Sequence, residues 1–154
     1  MKKFKFSLQP VDKYKRTIEK LQMGELRRAR ASLRELEEHR DNLLRELEES
    51  GARRADELER GLPAEEFIAY DRYFRRLREQ CEDLAPKILR AQREVTEREA
   101  ALIRTKNELK AYAKLRDREF SEWRADVAAE EAQIIGEFVS FTVSAPEAPT
   151  AAAR

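Results

Sequence analysis

Cysteine, histidine and glycine are all scarce in this chain. It has one cysteine, Cys81, and one histidine, His39. A single cysteine cannot build an internal disulfide framework, and no H-E-x-x-H, C-x-x-C or glycine-rich phosphate motif is present. His39 lies among charged residues on a predicted helix face, and Cys81 falls where a small buried hydrophobe is expected. We therefore predict no catalytic residue, no metal site and no cofactor, and we expect a protein that is not an enzyme.

Long apolar runs and a strong excess of one charge are also missing. No apolar stretch approaches the ~20 residues that a membrane-spanning helix needs. The opening "MKKFKFSLQP" is basic but has neither the apolar region nor the cleavage site of a secretory signal. The net charge is only +1, so no basic excess argues for nucleic acid. These absences predict a soluble cytoplasmic protein that does not bind nucleic acid.

Charge and helical periodicity are what the sequence has in abundance. Charged residues make up 41% of its 154 residues, with only 4 glycines and 5 prolines, which is typical of coiled coils. From Phe67 onward every seventh residue is apolar as far as Leu109, the pattern of a supercoiled helix. These residues occupy heptad position a. The d positions, which lie three residues later, are polar at Arg98 and Thr105, where a looser seam is expected. The predicted coiled-coil core of this half comprises Phe67, Tyr70, Phe74, Cys81, Ile88, Val95, Leu102 and Leu109.

The first half carries a similar apolar stripe, which shifts phase near Met23–Gly24 and near Ser50–Gly51. The two halves meet at "ERGLPAEEF", where Gly61 suits a helix end and Pro63 suits the first turn of the next helix. Neither half can bury its stripe alone. We predict an all-α fold, a long two-helix antiparallel coiled-coil hairpin over residues 1–138, with helices 8–58 and 64–135 and a turn at 59–63. A helix break at Pro86, which would give three helices, remains an alternative.

The second predicted helix is longer than the first, ~105 Å against ~75 Å. Residues 116 to 138 therefore overhang the hairpin and have no partner in it unless Phe4 and Phe6 fold back. Such an apolar stripe should meet another protein. The segment "EFVSFTV" could form a short strand or lie on a partner, and we expect residues 139–154 to be a disordered tail. The apolar residues of the overhang are Phe120, Trp123, Val127, Ile134, Ile135 and Phe138.

The N-terminal segment, residues 2–20, is basic, with seven Lys and Arg against two acidic residues. Such a segment could contact anionic lipid or nucleic acid. It could equally dock on an acidic partner or serve only as a soluble end, and the sequence does not choose among these roles.

Four features together resemble one family. They are the opening "FKFSLQPVDKYK", the mid-chain "GLPAEEFIAYDRYFRRL", the segment "LKAYAKLRDREF", and a chain length combined with a long second arm. Over about residues 1–138 the sequence is similar to the FliJ family, the small coiled-coil component of the flagellar type III protein export apparatus. The family often has an acidic pair near its C-terminus, of which only Glu137 is present here.

The resemblance implies a coiled coil similar to the rotor stalk of F-type ATPases, with roles in bacterial flagellum biogenesis, motility and chemotaxis. Its implied partners are the hexameric export ATPase (FliI), the export gate protein (FlhA) and export chaperones. It also implies a cytoplasmic protein, peripheral at the cytoplasmic face of the inner membrane through the gate. The alternative is a generic coiled-coil scaffold or chaperone arm of another secretion or assembly system.

The resemblance also assigns residues to partners. The gate-contacting positions of the family match Tyr73, Leu77, Gln80 and Leu84. Tyr73 falls at position g, where packing within the hairpin does not require it, so a docking ridge along g and d is expected. The resemblance and the overhang together assign the ATPase-binding end to Lys2, Lys3, Lys5, Lys13, Lys15, Phe120, Trp123 and Val127.

Overall fold

A computed structural model describes residues 3–143 of the chain. Within this range two α-helices, α1 (Gln9–Arg60) and α2 (Ala64–Val143), account for nearly all residues, and there is no strand. The two helices pack against each other, which confirms the predicted all-α helical hairpin. In the part of the chain described, neither helix has a stretch that is apolar enough to cross a membrane.

The turn between the helices follows the predicted turn chemistry. Gly61 has φ of 96°, a left-handed conformation that glycine adopts without a Cβ penalty, and its N–H donates to the carbonyl of Leu58 at 3.2 Å. The N–H of Phe67 donates to the carbonyl of Pro63 at 3.1 Å, which closes the first turn of α2. Glu65 and Glu66 lie in that first turn, where carboxylates stabilise the positive end of the helix dipole.

The C-terminal end of α2 departs from the sequence prediction. The helix continues past residue 135 to Val143, so residues 139–143 are helical rather than disordered, and "EFVSFTV" is not a strand. Extending an existing helix costs far less than starting one, and Ser140 Oγ donates to the carbonyl of Glu137 at 2.9 Å. The remainder of the predicted tail, residues 144–154, lies outside the described residues. Helix α1 likewise runs two residues past the predicted end at 58.

Helix α2 is continuous through Pro86, so the three-helix alternative is wrong. A proline removes one backbone hydrogen bond from a helix interior. Pro86 is exposed, and its own carbonyl accepts a hydrogen bond from Arg90 Nε at 3.3 Å.

The contacts divide the chain into two units, each described by itself. The central unit is residues 15–107. The terminal unit consists of the N-terminal segment up to residue 14 and the chain from residue 108 onward, of which residues 3–14 and 108–143 are described.

The core of the central unit is the seam between the two helices. Leu43 of α1 packs with Leu77, Leu84 and Ile88 of α2, and Tyr73 and Cys81 pack partly buried against them. Two ion pairs also join the helices, Arg98 with Glu25 and Arg30 with Glu99. The phase of the heptads therefore matches the face of α2 that α1 covers in this unit.

Individual positions of the predicted core differ in depth. Phe74, Ile88, Leu102 and Leu109 are buried, and Tyr70, Cys81 and Val95 are half-buried. Phe67 is 43% exposed, so its assignment to the core is wrong. It lies one turn into α2, where its ring contacts the Arg54 guanidinium at 5.6 Å.

The two polar positions of the seam also behave differently from each other. Thr105 is only 5% exposed, and its hydroxyl donates to the carbonyl of Ala101 in the same helix at 3.3 Å. Arg98 is half-buried and held by Glu25 and Glu94.

Candidate functional site

An aromatic cluster of Phe4, Phe120 and Trp123 lies in the terminal unit. Phe120 and Trp123 share one face of α2 because they are three residues apart, and their rings stack at 5.7 Å between centroids. Phe4 packs edge-on against Phe120 at 5.2 Å and tilted against Trp123 at 5.9 Å. The segment before α1 therefore folds back on α2, as the sequence allowed.

The aromatic cluster is anchored on one side and accessible on the other. Phe6 is buried, and Ser7 Oγ donates to Glu119 Oε1 at 3.3 Å. Phe120 is 42% exposed, whereas Phe4 and Trp123 are half-buried. An aromatic surface that is ordered by its neighbours and still open to solvent fits a partner contact, because little entropy remains to be lost there on binding.

The structure does not place all the predicted ATPase-binding residues in one unit. Lys3 and Lys5 are exposed on either side of Phe4 along the chain, and Lys13 is exposed in the first turn and a half of α1. Lys15 is half-buried and belongs to the central unit, and Lys2 lies outside the described residues. Half-buried Val127 lines, together with Trp123, a shallow cavity of about 290 Å³ on α2.

The last turns of α2 are apolar and acidic. Ile134 and Ile135 are 64% and 63% exposed. Residues 125–143 contain four acidic residues and no Lys or Arg. The apolar stripe alone does not reveal that this segment is acidic. Its lack of Lys and Arg is the sequence feature that indicates it.

The four residues assigned to the export gate do not form an exposed ridge. Leu77 and Leu84 are each 6% exposed and pack on Leu43, so the docking ridge along g and d is wrong for these two. The reason is that d positions face the partner helix. Gln80 is exposed, and Tyr73 is half-buried against the same core.

Tyr73 belongs to a polar network that links the helices. Its hydroxyl donates to Glu46 Oε1 at 2.9 Å, and the same oxygen accepts from Ser50 Oγ at 2.8 Å and from Arg53 Nη2 at 3.0 Å. The bond from Ser50, followed by that from Tyr73, lowers the pKa of Glu46 below its ordinary value. The bond to Glu46 raises the pKa of Tyr73. Ser50 is fully buried. The sequence gives no sign of its part in this network except the phase shift of the α1 stripe near Ser50–Gly51.

The network predicts a pH-dependent stability. A carboxyl group with a lowered pKa stabilises the fold above its unfolded pKa, and this contribution is lost as pH falls through the folded value. Glu46→Gln should therefore lower the unfolding free energy at about pH 7, and the difference from the unchanged protein should shrink towards about pH 3. Denaturant unfolding at a series of pH values measures this difference, with exposed Glu48→Gln as the control. A difference that does not vary with pH would show that the charge of Glu46 contributes nothing.

No group of three or more His, Cys, Asp or Glu side chains between residues 3 and 143 could hold a metal ion. The terminal unit combines accessible aromatic rings, which offer contact area, with exposed lysines, which offer charge.

A comparison with protein families finds a match over most of the chain. The model described as "Flagellar FliJ protein" matches residues 4–147, nearly the whole chain. No curated protein and no solved structure matches it.

Proposed function

Because the chain belongs to the FliJ family, and so to the flagellar export apparatus, we propose that it binds the hexameric export ATPase (FliI) there through its terminal unit. The family is a non-enzymatic export component, which favours this role over a generic scaffold. The observation that carries the proposal is the ordered but accessible aromatic cluster, with Lys3 and Lys5 beside Phe4 along the chain.

The two parts of this surface would act at different stages of binding. Exposed lysines attract an acidic partner over distances of about a Debye length, ~8 Å at 0.15 M salt, and so raise the association rate. Aromatic side chains that lose water in the complex set how long it lasts. The surface therefore suits a partner that is captured by charge and retained by apolar contact.

Charge reversal tests the capture step. Lys3→Glu, Lys5→Glu and Lys13→Glu together should slow association with the export ATPase by about tenfold at low salt, and salt should reduce the difference. The rate is measured by stopped-flow mixing. The matched control reverses three exposed cations of the central unit, Arg76, Arg78 and Lys87. Equal rates for the two triple variants would refute a role for the terminal lysines.

Contacts with the export gate protein (FlhA) and with export chaperones belong to the same proposal. Of the four residues assigned to the gate, exposed Gln80 and half-buried Tyr73 are accessible, so we propose that they make the direct contact. Leu77 and Leu84 would act only by holding α2 against α1. Binding to the gate would place the protein at the cytoplasmic face of the inner membrane.

A further inference from the structure

A groove with a basic rim runs between the two helices within the central unit, and its lining includes none of the residues assigned above to a partner. It is an open cleft of about 830 Å³. Its floor consists of the apolar side chains Met23, Leu26, Leu33, Val95 and Leu102, and its rim consists of Arg27, Arg30, Arg34 and Lys106. We call this feature the basic groove.

The floor of the basic groove is left partly uncovered by the hairpin. Leu26 and Leu102 are buried, whereas Met23 is 44% exposed. The groove begins where the apolar stripe of α1 shifts phase. There Gly24 has no side chain, and a Cβ built on it would have no atom within 4 Å apart from those of its chain neighbours and the nearby backbone of α1. Methionine adapts its shape to different apolar partners, so this floor can accept an additional apolar side chain.

The rim carries an excess of positive charge. Arg27, Arg30 and Arg34 follow one face of α1, at spacings of three and four residues where like charges repel. Arg30 is paired with Glu99 at 2.5 Å. Among the described residues no ion pair involves Arg27, Arg34 or Lys106. An anionic partner would relieve this repulsion.

We infer that the basic groove binds an amphipathic α-helix of another protein, with Glu or Asp flanking its apolar stripe. Residues 23–34 and 95–106 each span ~16 Å, which is three turns of a helix. A helix of that length places anchors at i, i+3, i+4 and i+7 in an apolar groove, and its flanking carboxylates would meet the arginines. Nucleic acid fits less well, because the lining has no aromatic ring on which a base could stack.

The probe is a synthetic helical peptide of roughly 14 residues, four turns, with leucines along one stripe and glutamates on both flanks. Its matched control has lysine in place of every glutamate. Binding to the full chain is followed by fluorescence anisotropy of the labelled peptide. We expect the acidic peptide to bind and the basic one not to bind. Equal binding of the two, or no binding of the acidic peptide, would overturn the inference.

Variants locate the site. Arg27→Glu with Arg34→Glu should raise the Kd of the acidic peptide by about tenfold or more, while Arg72→Glu with Arg76→Glu, exposed and outside the groove, should leave it unchanged. All four arginines are exposed, so the helical circular dichroism should be retained. An equal effect of both pairs would overturn the inference, as would a single-stranded oligonucleotide that competes with the acidic peptide. This site does not depend on the proposed ATPase contact and would persist if that contact were refuted.

Discussion

Replacement of Phe74 by alanine is expected to lower the free energy of unfolding by about 3–5 kcal/mol. Phe74 is 4% exposed, its ring stacks on Tyr70 at 5.9 Å, and the Arg54 guanidinium lies 4.6 Å from its centroid. Removing the ring would leave a cavity in the seam that two long helices cannot close without shifting against each other. It would also remove the contact that holds Arg54 over the ring.

Phe67→Ala is the matched control, because the two phenylalanines occupy the same heptad position one heptad apart. Phe67 is 43% exposed, so its loss should cost roughly 0.5 kcal/mol, as at other surface sites. Chemical denaturation of both variants, compared by midpoint and slope, measures the difference. Equal losses would contradict the burial assigned to these two rings.

Trp123→Ala is expected to have the largest effect on partner binding. Trp123 packs against Phe4 and Phe120, so its removal would disorder the whole aromatic cluster. We expect the complex with the export ATPase to dissociate about tenfold faster or more, with the association rate nearly unchanged.

Ile103→Ala is the control for Trp123→Ala. Ile103 is an apolar residue of α2 in the central unit with 57% of its surface exposed, so its truncation tests whether any exposed apolar side chain would serve. Dissociation is measured by diluting the preformed complex. A Trp123→Ala complex that dissociates at the unchanged rate would show that the aromatic cluster does not contribute to the contact.

The comparison of Phe67 with Phe74 shows what the heptad pattern can and cannot predict. Periodicity identifies the face of a helix, and Phe74, Ile88 and Leu102 on that face are buried. It does not give depth, which depends on what the partner helix offers at each level. Phe67 lies in the first turn of α2, next to the loop that ends the hairpin, and it stays exposed.

Tyr73 shows the same limit of the heptad pattern. Position g predicts a flanking residue, yet its hydroxyl bonds to Glu46 in a network with Ser50. The pairing of Tyr73 with Glu46 depends on how the two helices are aligned where the stripe of α1 shifts phase. That alignment is set by the apolar stripes of both helices. A pattern read along one helix does not contain it.

The terminal unit was predictable in composition but not in contact. The sequence identifies Phe120 and Trp123 as one stripe, and the absence of an opposing α1 stripe indicates that they need a partner. Phe4 covers part of this stripe. The residues in that contact are more than a hundred positions apart, so the periodicity of a helix cannot predict it. The end of α2 at Val143 was similarly missed, because alternation in "EFVSFTV" competes with extension of a helix already formed.

The emission of Trp123 during titration with the export ATPase tests most directly whether the terminal unit is the binding surface. Trp123 is the only tryptophan of the chain, and replacing it with a hydroxytryptophan analogue allows its excitation apart from the tryptophans of the ATPase. Because the contact would exclude water from the aromatic cluster, the emission should shift to the blue and saturate with the binding curve. Unchanged emission at saturating ATPase, with binding measured independently, would place the contact elsewhere and contradict the proposed role of this surface.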